Sequence, residues 1–233
     1  YLAPTAGTVK VDGFDIVKEP EKAKEHIGYL PEIPPLYSEM TVEEYLKFAA
    51  ELKRIPGKER AAQIEKAIKT AQLEDVRKRL INNLSKGYKQ RVGLAQAVLG
   101  DPETIILDEP TVGLDPRQMI EMRKLIRSLK KDHTVILSSH ILAEIREVCD
   151  YIMIISKGKL VASDTPEHLE ELMNGSDTIH IETRAEEETV REILSGLKDI
   201  EDVTYTQENE ILKAEVKTKE RKDIREAIFS AFA

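Results

Sequence analysis

With 233 residues, 41 % of them hydrophobic and 33 % charged, the chain has the profile of a folded domain with a solvated surface, able to bury roughly 70 % or more of what its unfolded form exposes. Its 43 acidic residues outnumber 35 basic ones, and the formal charge of -8 argues against a general attraction to nucleic acid or anionic lipid. No apolar run approaches the ~20 residues that cross a bilayer, and the single cysteine, Cys149, allows no internal disulfide and reads as a small core residue at a helix end. With no secretory leader visible, the expected setting is a reducing cytoplasm.

Val9 to Val11 run into the turn dipeptide Asp12-Gly13, which predicts a small antiparallel sheet. A short strand follows at His26 to Leu30, and Pro31, Pro34 and Pro35 then force an extended loop. Thr41 and Glu44 have capping-box spacing, and Val42, Tyr45, Leu46, Ala49 and Leu52 form a helical stripe that Pro56-Gly57 ends. A second amphipathic helix carries Ile64, Ala67, Ile68 and Ala71. Ser85 is placed to cap a helix with Tyr88, Val92, Ala95 and Leu99 on one face. Next come a buried strand at Thr104 to Leu107, a helix from about Pro116 with Met122, Leu125, Ile126 and Leu129 inward, and a strand at Thr134 to Ser138. Strand, helix and strand at this spacing predict a parallel α/β unit. Ile152 to Ile155 and Leu160 to Ala162, joined by Lys157-Gly158, read as a hairpin.

After Asn174-Gly175 the pattern changes. Ile179 and Ile181 alternate, Val190, Ile193, Leu194 and Leu197 are helical, Val203 with Tyr205 and then Leu212, Ala214 and Val216 alternate, and Ile224, Ala227, Ile228 and Ala231 are helical again. That β-α-β-β-α order is five-sixths of a ferredoxin-like sandwich, so this α+β extension reads as incomplete. The predicted division is a domain at 1–174, with a helical subdomain at about 41–100, and an extension at 175–233.

The chemistry concentrates at TIILDEPTVGLD, residues 104–115, where an apolar strand runs into two adjacent carboxylates, Asp108 and Glu109. Ligands of a parallel sheet bind beyond the carboxyl ends of its strands. An acid there can hold magnesium, and a second one beside it can orient an attacking water. Taken alone, two acids at a strand end are more often a strand reaching solvent; the neighbouring motifs change that reading. NNLSKGYKQRVGLAQAVLGDP stands just upstream, and VGLDP and then TVILSSH just downstream.

This order of motifs resembles the ATP-binding cassette (ABC) family over residues 1 to about 170. Leu84, Ser85, Lys86, Gly87 and Tyr88 match its LSGGQ signature in three of five places, Ile105 to Asp108 its Walker B strand, Glu109 its catalytic glutamate, Gly113 to Asp115 its D-loop and His140 its switch histidine. The resemblance implies an α/β fold, with a parallel-sheet ATPase core, a small antiparallel β part and a helical signature subdomain. It implies ATP and Mg2+ as ligands, with Asp108 and Glu32 toward the metal. Ser85 and the start of its helix would meet the γ-phosphate of an ATP held by a second copy, and Asp115 and His140 would lie at the same nucleotide interface. Glu32 stands where the family usually has a glutamine, and its carboxylate adds negative charge near the phosphates. Lys86 and Tyr88 replace a Gly and a Gln. His26, His133, His168 and His180 have no such setting and read as structural.

No G-x-x-x-x-G-K-[ST] phosphate loop occurs in the 233 residues. In the family that loop precedes a segment like YLAPTAGTVKVDG, so the expectation is a loop upstream of Tyr1 and an inactive fragment without it. LPEIPPLY, LSKGYKQRVGLAQA and the extension look like the single-cassette subunits of gliding-motility and drug-export type bacterial exporters. These dimerise and pair with a separate membrane protein, which would place the chain on the inner face of the cell membrane. Ile33, Leu36 and Tyr37 either pack onto the helix beginning at Thr41 or line a groove for a cytoplasmic helix of that permease. Two rivals are a soluble cassette acting on ribosomes or DNA, whose usual tandem cassettes or long coiled coil are not seen here, and a non-catalytic cassette, which would require Glu109 or His140 to be lost.

Overall fold

A computed structural model describes residues 3–173, 178–208, 211–218 and 224–232. The Asn174-Gly175 turn lies outside the described residues. The chain separates into two compact units, 1–150 and 151–233. That division falls ahead of the hairpin and helix that the sequence groups with the first domain.

The first unit opens with a two-stranded hairpin, β1 (Lys10–Val11) and β2 (Phe14–Asp15). Its turn residues Asp12 and Gly13 both have positive φ, 49° and 82°, the twist that a tight two-residue hairpin requires. Helix α1 (Pro20–Glu25) leads into β3 (Ile27–Leu30). Helix α2 (Val42–Leu52) carries the complete capping box: Thr41 N–H donates to Glu44 Oε2 at 2.8 Å and Glu44 N–H to Thr41 Oγ1 at 3.3 Å. The predicted stripe is buried except for Leu52, which is exposed, because α2 ends there. Pro56 does not end that helix; it is the N-cap of α3 (Gly57–Thr70), which buries Ile64, Ala67 and Ile68. Leu36, partly buried, packs against the core, as the first of the two alternatives has it, whereas Ile33 is 81 % and Tyr37 52 % exposed. The Tyr37 ring meets Phe48 and Tyr45 of α2 at 5.2 and 6.2 Å.

Helix α4 (Lys86–Val98) starts at its N-cap Ser85, whose hydroxyl accepts from Tyr88 N–H at 3.4 Å. It is buried on most sides rather than on one face, with Gly87, Gln90, Arg91 and every residue from Val92 to Ala95 inside. Small residues make this possible. A methyl group added at Gly28 of β3 would lie 2.2 Å from the carbonyl oxygen of Ala97, and one at Gly93 would lie 2.5 Å from Leu30. Strand β3 and helix α4 therefore approach backbone to backbone. At the far end of α4, Lys53 Nζ donates to the carbonyls of Ala97 and Leu99 at 3.3 and 2.6 Å, a cation where the helix dipole favours one.

Strand β4 (Thr104–Asp108) is central in a parallel sheet of order β3-β4-β5, with β5 at Thr134–Ser138. Ile27 pairs with Thr104 and Thr104 with Thr134 at one end; Leu30 pairs with Leu107 and Asp108 with Ser138 at the other. Between β4 and β5, α5 (Pro116–Leu129) buries Met122, Leu125, Ile126 and Leu129, as its spacing predicts. The short α6 (Leu142–Val148) ends at the C-cap Cys149, which is half-buried, and burial pushes its thiol pKa up.

In the second unit β6 (Ile152–Ser156) and β7 (Lys159–Asp164) form the predicted hairpin, with Lys157 and Gly158 at φ 49° and 73°, followed by α7 (Pro166–Met173). Strands β8 (Thr178–Thr183), β9 (Ile200–Glu208) and β10 (Ile211–Thr218) form an antiparallel sheet of order β8-β10-β9. Helices α8 (Glu187–Ser195) and α9 (Arg225–Phe232) share a core with it built from Val190, Leu194, Leu212, Ala214, Val216 and Ile228. Ala227 and Ala231 are exposed, and Phe232 takes the packing role predicted for them. Among the described residues no helix is long and apolar enough to cross a membrane.

The close approach at Gly28 is testable. Gly28→Ala is expected to lower stability by about 1–3 kcal/mol in urea unfolding, because backbone must move. Gly57→Ala, whose added methyl meets nothing within 4 Å, is expected to stay within about 0.5 kcal/mol of the parent. Equal effects from the two would show that β3 and α4 are not in backbone contact.

Candidate functional site

The site grows from the end of β4. Asp108 is the last residue of the strand and pairs in register with Ser138, the last residue of β5. The Ser138 hydroxyl donates to Asp108 Oδ1 at 2.6 Å. Its Oγ and its carbonyl oxygen accept from the Glu109 N–H at 3.1 and 3.2 Å. From the other flank, Tyr29 of β3 donates its phenol O–H to Asp108 Oδ2 at 3.4 Å. Both carboxylate oxygens of Asp108 are thus oriented by neighbouring strands, each with lone-pair capacity left.

Glu109 has φ 45°, a left-handed conformation that costs a residue other than glycine about 1–3 kcal/mol and persists only when its surroundings hold it. The two bonds from its N–H to Ser138 are that hold. The turn ends the strand and directs the side chain to the loop after β5, where Oε1 lies 2.9 Å from His140 Nδ1. An acceptor carboxylate requires the proton on Nδ1, so Nε2 remains on the opposite side of the ring. The hydrogen bond and charge of Glu109 hold the His140 pKa above its ordinary value of 6.5, with smaller contributions from Glu144 and Glu32. Behind the loop, Thr111 donates to Glu144 Oε2 at 2.6 Å in a buried bond that ties the turn after β4 to α6.

The structure therefore brings together Asp108, Glu109 and His140, with Glu32 in electrostatic reach of the histidine. Ser85, Lys86, Gly87 and Tyr88 stand apart at the start of α4, and Asp115 caps α5, accepting from Gln118 N–H at 2.9 Å. The two helix starts touch each other. A methyl group at Gly113 would lie 2.1 Å from Lys86 Nζ, and one at Gly87 would lie 2.6 Å from the Gln118 side chain. Arg91 lies under the Tyr88 ring, 5.4 Å from its centroid, and its guanidinium pairs with Glu121 of α5, which also accepts from Arg117 at 3.3 Å.

Ser138, Tyr29 and the Thr111–Glu144 pair are not among the site residues predicted from the sequence. Ser138 had a signal: TVILS and TIILD end in register, which makes the serine the neighbour of Asp108. Tyr29 and Glu144 had none. The donors around Asp108 are carboxylate and hydroxyl oxygens, a hard set that suits Mg2+ better than a softer ion.

A family model described as "ABC transporter" matches residues 1–112. The chain is 36 % identical to the ABC transporter ATP-binding protein NatA of Bacillus subtilis over 182 residues, which cover 77 % of this chain and 74 % of that protein. It is 38 % identical to the bacitracin transport ATP-binding protein BcrA of Bacillus licheniformis over 170 residues, 72 % of this chain and 55 % of that one. Among solved structures, cbiO1 from Clostridium perfringens, part of the ABC transporter complex cbiONQ, is similar with a TM-score of 0.67 and 27 % identity, over 84 % of this chain and 75 % of that one. The chain spans about half the length of several of the curated relatives it matches. A phosphate loop ahead of Tyr1 is not borne out by these matches.

The Glu109–His140 bond has a measurable consequence. A histidine whose folded pKa is raised gains stability from its partner that is fully present below pH ~6.5 and is lost as pH rises through the folded pKa. An NMR titration of His140 is expected to give a midpoint above 6.5 that returns toward 6.5 in Glu109→Gln. An unshifted midpoint in the parent protein would mean that the pair does not form in solution.

Proposed function

We propose, from the premise that this chain belongs to the ABC transporter family, that it is part of the ATP-hydrolysing subunit of a bacterial exporter, working as a dimer beneath a separate membrane subunit at the inner face of the cell membrane. The observation that carries the catalytic reading is the Asp108–Ser138–Glu109–His140 cluster at the carboxyl ends of β4 and β5. A carboxylate held in a strained turn and bonded to an exposed histidine is poised to accept a proton from a water beside it.

In this reading Asp108, with Glu32 nearby, holds Mg2+, which when bound neutralises charge on the transferring phosphoryl group. Glu109 orients the attacking water, and His140 contributes its Nε2 side to the same phosphate. Ser85, Lys86, Gly87 and Tyr88 present the positive start of α4, with the Lys86 ammonium, to the ATP of a second subunit. Asp115 stands at the dimer interface. The 233 residues contain no phosphate loop, so by themselves they are expected to bind ATP only weakly. Closure of two subunits on ATP, followed by reopening after hydrolysis, would drive the membrane partner. Ile33 and Tyr37, exposed beside Glu32, are the docking residues of this proposal, and the partly buried Leu36 is their support.

Glu109→Gln is expected to lower ATP turnover by about 10²–10⁴-fold while nucleotide binding survives. Unchanged turnover, or loss of binding with activity, would assign Glu109 a structural role.

For the docking residues, Ile33→Asp is expected to leave the melting temperature unchanged and abolish co-purification with the membrane subunit. Leu36→Asp is expected to lower the melting temperature itself, since it places a charge against the core. Retained co-purification of Ile33→Asp would remove this surface from the proposal.

A further inference from the structure

At the opposite end of β4 from Asp108, three side chains that the nucleotide chemistry does not use converge. Asp12 lies in the turn between β1 and β2, His26 is the C-cap of α1, and Glu103 precedes β4. One donor atom from each lies within 4.8 Å of the other two. The five residues of β4 separate this group from Asp108 by about 16 Å of strand, so it is distinct from the site above.

We propose that Asp12, His26 and Glu103 form a binding site for a divalent transition ion of the zinc class. Donors bound tetrahedrally to one such ion at about 2.0–2.2 Å stand about 3.3–3.6 Å from each other. His26 Nδ1 and Asp12 Oδ2 are 3.0 Å apart, a hydrogen-bond spacing that an ion would have to widen by only about half an ångström. The His26 ring is oriented by stacking on Phe14, with centroids 5.3 Å apart and planes 28° from parallel. Its backbone is fixed as well, since its carbonyl accepts from Thr104 N–H at 3.1 Å. Glu103 is fixed on the other side, its carbonyl accepting from Thr134 N–H at 2.8 Å. Two ligand-bearing backbones are therefore set by the first rungs of the parallel sheet, and the third by a turn whose φ of 49° aspartate tolerates.

Charge points the same way. Among the described residues the Glu103 carboxylate makes no side-chain hydrogen bond or ion pair, and Asp12 pairs only with His26. Two carboxylates thus lie beside one imidazole, and among the described residues neither has a lysine or arginine ion-pair partner, an excess of negative charge that a dication would offset. One imidazole with two carboxylates suits zinc, manganese or cobalt better than a hard ion with all-oxygen preferences. Three protein ligands leave a position for water. A bound ion would clip the β1–β2 turn to the start of the central sheet, joining residues far apart in the chain, and would stabilise the folded chain by mass action.

The test uses the full chain, stripped with chelator and then titrated with zinc by calorimetry and with cobalt by visible absorption, with melting temperature followed alongside. One zinc per chain at micromolar affinity or tighter, a rise in melting temperature and a cobalt d–d band are expected. Glu103→Gln, on an exposed side chain, is expected to weaken binding at least about tenfold and remove the thermal shift. His26→Phe is expected to do the same while keeping the stack on Phe14. His140→Ala controls for the carboxylates and imidazole at the far end of the strand and is expected to leave the zinc affinity and the zinc-induced thermal shift unchanged. Absence of binding, binding retained in Glu103→Gln, or binding lost in His140→Ala would each overturn the proposal.

Discussion

The parallel pairing of β4 between β3 and β5 is the constraint on which the rest of this chain depends. A parallel ladder places like ends together, so three strand termini from distant parts of the sequence arrive at one edge. At that edge the last rung of β4 and β5 sets Ser138 beside Asp108, and the serine then receives the Glu109 N–H. A one-residue slip would reverse which side chains face α4 and α5 and would remove Ser138 from both acids. The same ladder fixes the opposite edge, where His26 and Glu103 enter the sheet on neighbouring strands. Chemistry at either end is a property of register before it is a property of side chains.

Where the fold was legible in the sequence, a strong local rule and a buried surface agreed. The capping box at Thr41 and Glu44, the Ser85 cap, and the two hairpins with Asp12-Gly13 and Lys157-Gly158 are cases in which a few residues decide their own conformation. The misreadings share a cause. Leu52 and Ala227 have the right spacing for burial, but their helices end or turn away, and periodicity carries no information on where a partner surface stops. Helix α4 was read as one-faced because its glycines look neutral in a pattern of hydrophobic residues. In the fold glycines are the contact points, since Gly93 of α4 and Gly28 of the facing β3 admit side chains and backbone that any larger residue would exclude.

The site was legible to the extent that its residues follow one another in the chain. Asp108 and Glu109 are adjacent, and His140 lies two residues past β5, so the order of motifs was enough to group them. What supports them is not local. Tyr29 reaches Asp108 from 79 residues away, and Thr111 reaches Glu144 across 33. Tyrosine and threonine occur in many strands and turns without such partners, so nothing in their spacing marks these two. The left-handed turn at Glu109 was equally hidden, because glutamate has no preference for positive φ and the conformation is imposed by Ser138.

The replacements within LSKGY acquire a physical meaning from the packing of α4 on α5. A glycine in place of Lys86 would leave the start of α4 free of Gly113, whereas the lysine lays its ammonium over that glycine, and Gly87 lets Gln118 sit against the same turn. Further along, Arg91 is held between the Tyr88 ring and Glu121. Three successive contacts thus join the first two turns of α4 to the start of α5, and a displacement of one start without the other would break them together. Such a block also bears on charge. Lys86 has no carboxylate partner among the described residues at the positive end of its own helix, an arrangement the dipole disfavours until an anion arrives. A phosphate meeting this end would relieve that repulsion. Through Gly113 the same contact would reach the loop that connects α5 back to Glu109, so the two halves of the proposed chemistry would be linked by packed atoms.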